Sequence, residues 1–131
     1  MSDFVIINKY KFPTIVAVSS LEQQQGLMNI INPPIMSFPG RKKIKSFWMK
    51  DTPSSLDLIF ACDGLVVDRK FGAPYSLDII TSQHPADLVV EFPHGILDHF
   101  PVNIGDPINL SLSIKTVAKI YNSNLLKQGD L

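Results

Sequence analysis

The sequence predicts a mainly β fold, a compact single-domain barrel or sandwich with two short helices and a C-terminal extension. Three observations carry this. Ten prolines punctuate the 131 residues, at positions 13, 33, 34, 39, 53, 74, 85, 93, 101 and 107. Between them lie short runs of Val, Ile, Leu and Phe bounded by turn residues, the pattern of an all-β domain. Cys62-Asp63-Gly64 stands between two such runs, and Asp-Gly fits a tight hairpin turn because Gly tolerates positive φ.

Strands are expected near 4–7, 14–18, 35–38, 46–51, 56–61, 65–70, 77–80, 87–92 and 107–113. Gly105-Asp106-Pro107 marks the turn into the last of them. A helix is expected after Ser20-Leu21-Glu22-Gln23, with Ser20 as cap and Gln23 reaching back in a capping box. Leu21, Leu27 and Met28 would then face the core, although Gly26 weakens the helix. A second short helix is expected from Pro93 to about Phe100, with Pro in its first turn. Over 115–127, Val117, Ile120, Tyr121 and Leu125 recur at helical spacing. The domain is therefore read as residues 1–114, followed by an extension over 115–131.

Composition bounds the class of function. With 45% hydrophobic and 18% charged residues the chain is globular rather than disordered. Twelve basic residues balance twelve acidic ones. A zero formal charge argues against general nucleic-acid binding, which needs net phosphate neutralisation. One cysteine, Cys62, allows no intrachain disulfide. No apolar run approaches the roughly 20 residues of a membrane-spanning helix. Met1 to Asn8 has neither a basic start nor a long apolar stretch, so a soluble, intracellular location is expected.

Phe47-Trp48-Met49-Lys50-Asp51-Thr52, followed by Leu56-Asp57-Leu58-Ile59-Phe60, is the most informative stretch. It resembles the FWMKNT…PLDIIF signature of the domain of unknown function 192 family. Leu21 to Met28 is similar to that family's "ER…GLM" helix, Met36-Ser37-Phe38 to its "MLF" strand and Val89 to Gly95 to its "LELPAG" stretch. Ile104-Gly105-Asp106 resembles its closing "VGD". Asn29, Asp51 and Ser55 depart from the residues usual there. The resemblance spans about residues 14 to 112 and implies a compact, mainly β fold with small helices; it implies no reaction. Short family members also occur in phage genomes, which would make the chain a virion component if it is phage-encoded.

The same stretch supplies candidate site residues. Strand alternation places Trp48, Lys50 and Thr52 on one face, with Asp51 on the other. A hairpin through Thr52 to Ser55 would bring Lys50 near Asp57. With Glu91 contributed by another strand, Trp48, Lys50, Asp51, Asp57 and Glu91 would form a small polar ligand-binding site. The alternative is a structural Lys–Asp pair with Trp as core filler, since ion-pair networks also gather charges. Glu91 and Asp57 could serve as an acid/base pair, but their sequence spacing does not place them together.

Elsewhere the signals are structural. His94 and His99 are five apart, which splits them across helix faces, and no Cys pair completes a zinc site, so no metal or cofactor is expected. His84, His94 and His99 are given surface or capping roles. Cys62 has no neighbouring His in sequence to form a thiolate and is read as inert. Arg41, Lys42, Lys43 and Lys45 form the only charge run, expected as a solvated basic loop after Pro39-Gly40 that could meet an acidic partner. Without a nucleophile–base set, a metal set or a phosphate loop, the sequence favours a non-enzymatic binding or interaction module. Its partner would be a protein, a second copy or a small molecule. A structural accessory such as a phage capsid decoration and a small enzyme are the alternatives.

Overall fold

The computed structural model describes residues 2–126. In chain order these form β1 (Asp3–Ile7), β2 (Tyr10–Val16), α1 (Ser20–Gln25), β3 (Met36–Lys43), β4 (Ser46–Phe47) and β5 (Leu56–Cys62). There follow β6 (Leu65–Gly72), β7 (Ile80–Thr81), β8 (Ala86–Pro93), α2 (Ile96–His99), β9 (Ile108–Ser111) and α3 (Ile114–Tyr121). Seven strands make one sheet in the order β6-β5-β8-β3-β2-β1-β9, and β4 and β7 pair in a separate ribbon. Neighbours are antiparallel except β2 and β3, which run parallel.

The sheet curls until its two edges meet at one end. Leu65, the first residue of β6, bridges Pro107 just ahead of β9. Val66 N–H donates to the Asp106 carbonyl and Ile108 N–H to the Gly64 carbonyl, both at 2.9 Å. The architecture is thus a curled half-barrel. Between β5 and β6, Asp63 and Gly64 both adopt positive φ, so the Asp-Gly turn matches the twist of the hairpin.

Two apolar cores lie on opposite faces of this sheet. Val5, Ile7, Phe12, Ile59, Val90 and Phe92 belong to the concave interior, closed at one end by Leu97 of α2 and by Val102. Met36, Phe38, Leu56, Leu58, Phe60 and Val89 point outward, where Leu27 and Met49 from the loops cover them. With a core on each side, Leu56 to Ala61 is buried without interruption. That is why this strand reads as a continuous apolar run rather than an alternating one.

The structure corrects several local expectations. The 46–51/56–61 hairpin does not form: β4 is two residues long and pairs with β7, while β5 pairs with β6 and β8. The reason is Met49. It is buried against Gly72, where an added Cβ would lie 2.5 Å from the Met49 sulfur, so the segment after Phe47 is pinned as a loop. The α1 cap is Ser19 and its box partner is Glu22, one residue earlier than expected. The Glu22 Oε1 accepts from the N–H groups of both Val18 and Ser19, and the carboxylate charge makes both bonds stronger than those to a neutral amide oxygen. The Gln23 amide instead donates to the carbonyls of Ala17 and Pro39. Leu21 is exposed and Leu27, in the following turn, is buried. Pro93 ends β8, and α2 begins only after Gly95, whose φ of 103° turns the chain. Residues 41–43 continue β3, so the basic run is not a hairpin loop.

At the C-terminal end Ser113 caps α3 by accepting from Thr116 N–H at 3.2 Å. The Asp3 carboxylate accepts from Ser113 N–H at 2.7 Å and from the Thr116 hydroxyl at 2.6 Å, anchoring the helix to the first strand. These hydrogen bonds hold the Asp3 carboxyl below its usual range despite partial burial. Lys119 pairs with Glu22 of α1 at 2.9 Å. No residue of α3 is buried: Val117 and Tyr121 of the expected stripe are exposed, and Leu125 beyond it is half-buried. Residues 127–131 lie outside the described residues. No helix among the described residues is long and apolar enough to cross a membrane.

Candidate functional site

The register of β5 against β8 places the two buried carboxylates. Leu58 stands opposite Glu91 and Asp57 opposite Phe92. Opposed residues share a face and adjacent ones alternate. Glu91 therefore points outward, with Leu58 and Met36 as its cross-strand neighbours, and Asp57 points to the interior side with Phe92. The sheet separates them, so they do not form an acid/base pair.

Asp57 is paired. The His94 Nδ1 lies 3.2 and 3.1 Å from its two oxygens, and the Arg69 guanidinium lies 3.8 Å away. Phe71 packs edge-on against the His94 ring, 5.0 Å between centroids. Lys50 is not its partner. Instead the Lys50 ammonium sits 5.3 Å from the centroid of the Trp48 ring. Asp51 lies in the turn after it, exposed and at φ 54°. His94 and Arg69 were missed in sequence because neither lies near Asp57 along the chain. The available signal was strand parity: His94 follows Phe92 by two residues and so falls on its face.

Glu91 is different. It is 4% exposed. Among the described residues no side chain donates a hydrogen bond to its carboxyl or forms an ion pair with it. Burial alone pushes that carboxyl up to about 8. At neutral pH it is mostly protonated, able both to donate and to accept a hydrogen bond. It forms the floor of an open cleft of about 750 Å³ between α1 with its following turn and the 43–52 segment. Phe38, Phe47 and Trp48 give the cleft its aromatic wall, and Phe38 and Phe47 meet edge to face at 5.4 Å. Gly26 stands beside the carboxyl; an added Cβ there would lie 3.7 Å from Glu91 Oε1 and 3.5 Å from the Phe38 ring. Its φ of 47° favours glycine at this turn.

Of the expected site residues, then, the structure brings Trp48 and Glu91 to one cleft, leaves Lys50 on the ring of Trp48 and Asp51 on the surface, and puts Asp57 behind the sheet. The basic run divides. Lys43 and Lys45 line the cleft, whereas Lys42 pairs with Asp63 at 2.7 Å. Gly26, Phe38 and Phe47 were not singled out in sequence, since nothing local distinguishes them from core or turn residues. Among the described residues Cys62, Asp63 and Asp87 place ligand-type atoms within 4.8 Å of one another. The Lys42 ammonium already sits on the Asp63 carboxylate, and burial together with the two acidic neighbours raises the Cys62 thiol above its usual range.

A small curled β domain with a lateral cleft floored by a buried carboxyl is the class that fold and site define. The chain belongs to the DUF192 family, described as Uncharacterized ACR, COG1430, whose model matches residues 5–110. Among solved structures it is similar to a protein of unknown function from Novosphingobium aromaticivorans DSM 12444. The two are 26% identical over 81% of this chain and 83% of that one, with a TM-score of 0.72. It is also similar to a protein from Sinorhizobium meliloti 1021 provisionally described as a transcription regulator. There the identity is 27% over 83% of this chain and 93% of that one, with a TM-score of 0.75. No curated protein matches the chain.

Proposed function

We propose that this domain is a non-enzymatic binding module for a small molecule, and that the cleft above Glu91 is its site. The observation that carries this reading is the unpartnered Glu91 carboxyl. Among the described residues no fully buried side-chain oxygen lacks a partner, so the carboxyl, which no protein group bonds, opens onto the cleft. A ligand in the cleft can therefore reach the carboxyl, and a concave site that combines aromatic walls with placed polar groups is the usual form of a small-molecule pocket. Binding is favoured over catalysis because the described lining brings no His, Cys or second carboxylate to Glu91.

Trp48 is the single tryptophan of the chain, which makes the test direct. Titration of the isotope-labelled protein with a fragment library, read by amide shifts and by Trp emission, should give perturbations centred on Gly26, Phe47, Trp48 and Glu91. Perturbations confined to other surfaces would defeat the proposal. A second reading, protein interaction, is supported by α3, which exposes Ile114, Val117 and Tyr121 together. A structural accessory role, including decoration of a phage particle, would use that same helix. Val117→Asp would then abolish co-purification with the assembly while leaving the cleft unaffected.

A further inference from the structure

The cleft has a charge order as well as a shape. Its floor is the Glu91 carboxyl, and the other charged groups among its described lining are Lys43 and Lys45. Lys43 is exposed at the end of β3, so the outer part of the cleft carries positive charge. The Lys45 ammonium lies over Gly40, where an added Cβ would come within 2.8 Å of it. The space beside Glu91 Oε1 is kept open by Gly26 and bordered by the Phe38 ring.

The identity of the floor residue narrows the ligand. A neutral, hydrogen-bonding ligand would be served as well by Gln, which offers a donor and an acceptor at the same reach and never titrates. What Glu adds is the capacity to become negative when a positive group arrives. A lone cation, however, must pass Lys43, whereas an anion on the same ligand is attracted to it. Resting on the reading of the cleft as a ligand site, we infer that it takes a small zwitterion. Its ammonium group leads to Glu91 and its carboxylate or phosphate trails at Lys43.

Binding of such a ligand moves a proton. The ligand ammonium keeps its proton, and Glu91 gives its own to the solvent on forming the ion pair. The free carboxyl is mostly protonated at pH 7, so binding there should release about one proton per ligand, and this release should vanish above about pH 9.

The experiment uses the whole chain and three matched probe series. These are ω-amino carboxylates from glycine to ε-aminocaproate, the n-alkylamines and the unsubstituted carboxylates of equal lengths. Binding is read by Trp48 emission and amide shifts. Proton release is read by calorimetry in two buffers of different ionisation heat. At least one zwitterion should bind saturably and release a proton, and tighter than the amine and the acid of its length. Glu91→Gln, nearly isosteric and free of the burial cost of a carboxylate, should weaken it by roughly tenfold or more and abolish proton release. Lys43→Gln should weaken the zwitterion several-fold and leave the amine unchanged or bound more tightly. Zwitterion binding without proton release, or undiminished in Glu91→Gln, would overturn the inference. If the fragment library perturbs Gly26 and Trp48 while no zwitterion does, the ligand class falls and the cleft reading stands. If nothing perturbs those residues, both fall.

Discussion

Asp57 and Glu91 sit on neighbouring strands, each about 4% exposed, on opposite faces of one sheet. Asp57 has an imidazole and a guanidinium within reach. Glu91 has an open cleft instead. The contrast teaches that burial of an acid does not by itself mark a site. Asp57 is accounted for by its partners, whereas Glu91 faces an open cleft beside aromatic rings and is the acid we propose as a site. The difference arises from what covers each face. On the interior side β6 and the end of β8 supply Arg69 and His94. On the outer side a helix of six residues and a glycine turn cover most of Glu91 without supplying a donor to it.

The sharpest way to separate the two carboxyls is pH. The Glu91 carboxyl is held near 8 in the folded chain, against an ordinary value near 4.5. The folded state therefore keeps a proton that the unfolded state releases between these values. Stability should fall as pH rises through that window, by up to about 1.4 kcal/mol per pH unit. Glu91→Gln should remove this contribution and become the more stable protein at pH 8. Urea midpoints from pH 5 to 9 would show it. Parallel curves for the two proteins would mean that the acid is not held neutral.

On the other face, Asp57→Ala should destabilise. Because His94 and Arg69 can turn to solvent when freed, the loss should be about 2 kcal/mol, the scale of charge-assisted hydrogen bonds, rather than that of a stranded buried charge. A double-mutant cycle with His94→Ala would measure the coupling directly. Coupling near zero would remove the pairing from the comparison.

The wall of the cleft can be loosened from behind. Gly72→Ala would drive a methyl group into Met49, and such overpacking costs roughly 1–3 kcal/mol. Because Met49 anchors the loop that carries Trp48, Trp emission should shift in the folded state as well. A stability loss without that shift would show that the loop is held elsewhere.

The smallest effect belongs to the tie between α1 and α3. The backbone N–H of Ser19 and the Lys119 ammonium hold the Glu22 carboxyl down at about 2. This stabilisation is present above the ordinary carboxylate range and is lost as pH falls from about 4.5 toward 2. The pair is half-exposed, so Lys119→Ala should cost only a few tenths of a kcal/mol, and less at high salt. A change of cleft binding in Lys119→Ala would show that α3 bears on the site.

The sequence by itself determined the mainly β class and the Asp63-Gly64 hairpin. Those rest on local chemistry: Pro and Gly confine φ, and β-branched runs between them fit a pleated, buried surface. It also brought out Trp48 and Glu91, because a lone Trp and an acid inside an apolar strand stand out in any context. Only the tertiary structure decided their company. Lys50 and Asp57 looked adjacent because a four-residue turn lies between their segments, yet Met49 seated on Gly72 opened that hairpin and gave Lys50 to Trp48. The helix cap moved from Ser20 to Ser19 because one carboxylate could serve two backbone donors. Above all, strand order and register put Asp57 and Glu91 on opposite faces of the sheet. No local preference encodes that separation, because pairing partners are chosen by which apolar faces can be buried together across the whole chain.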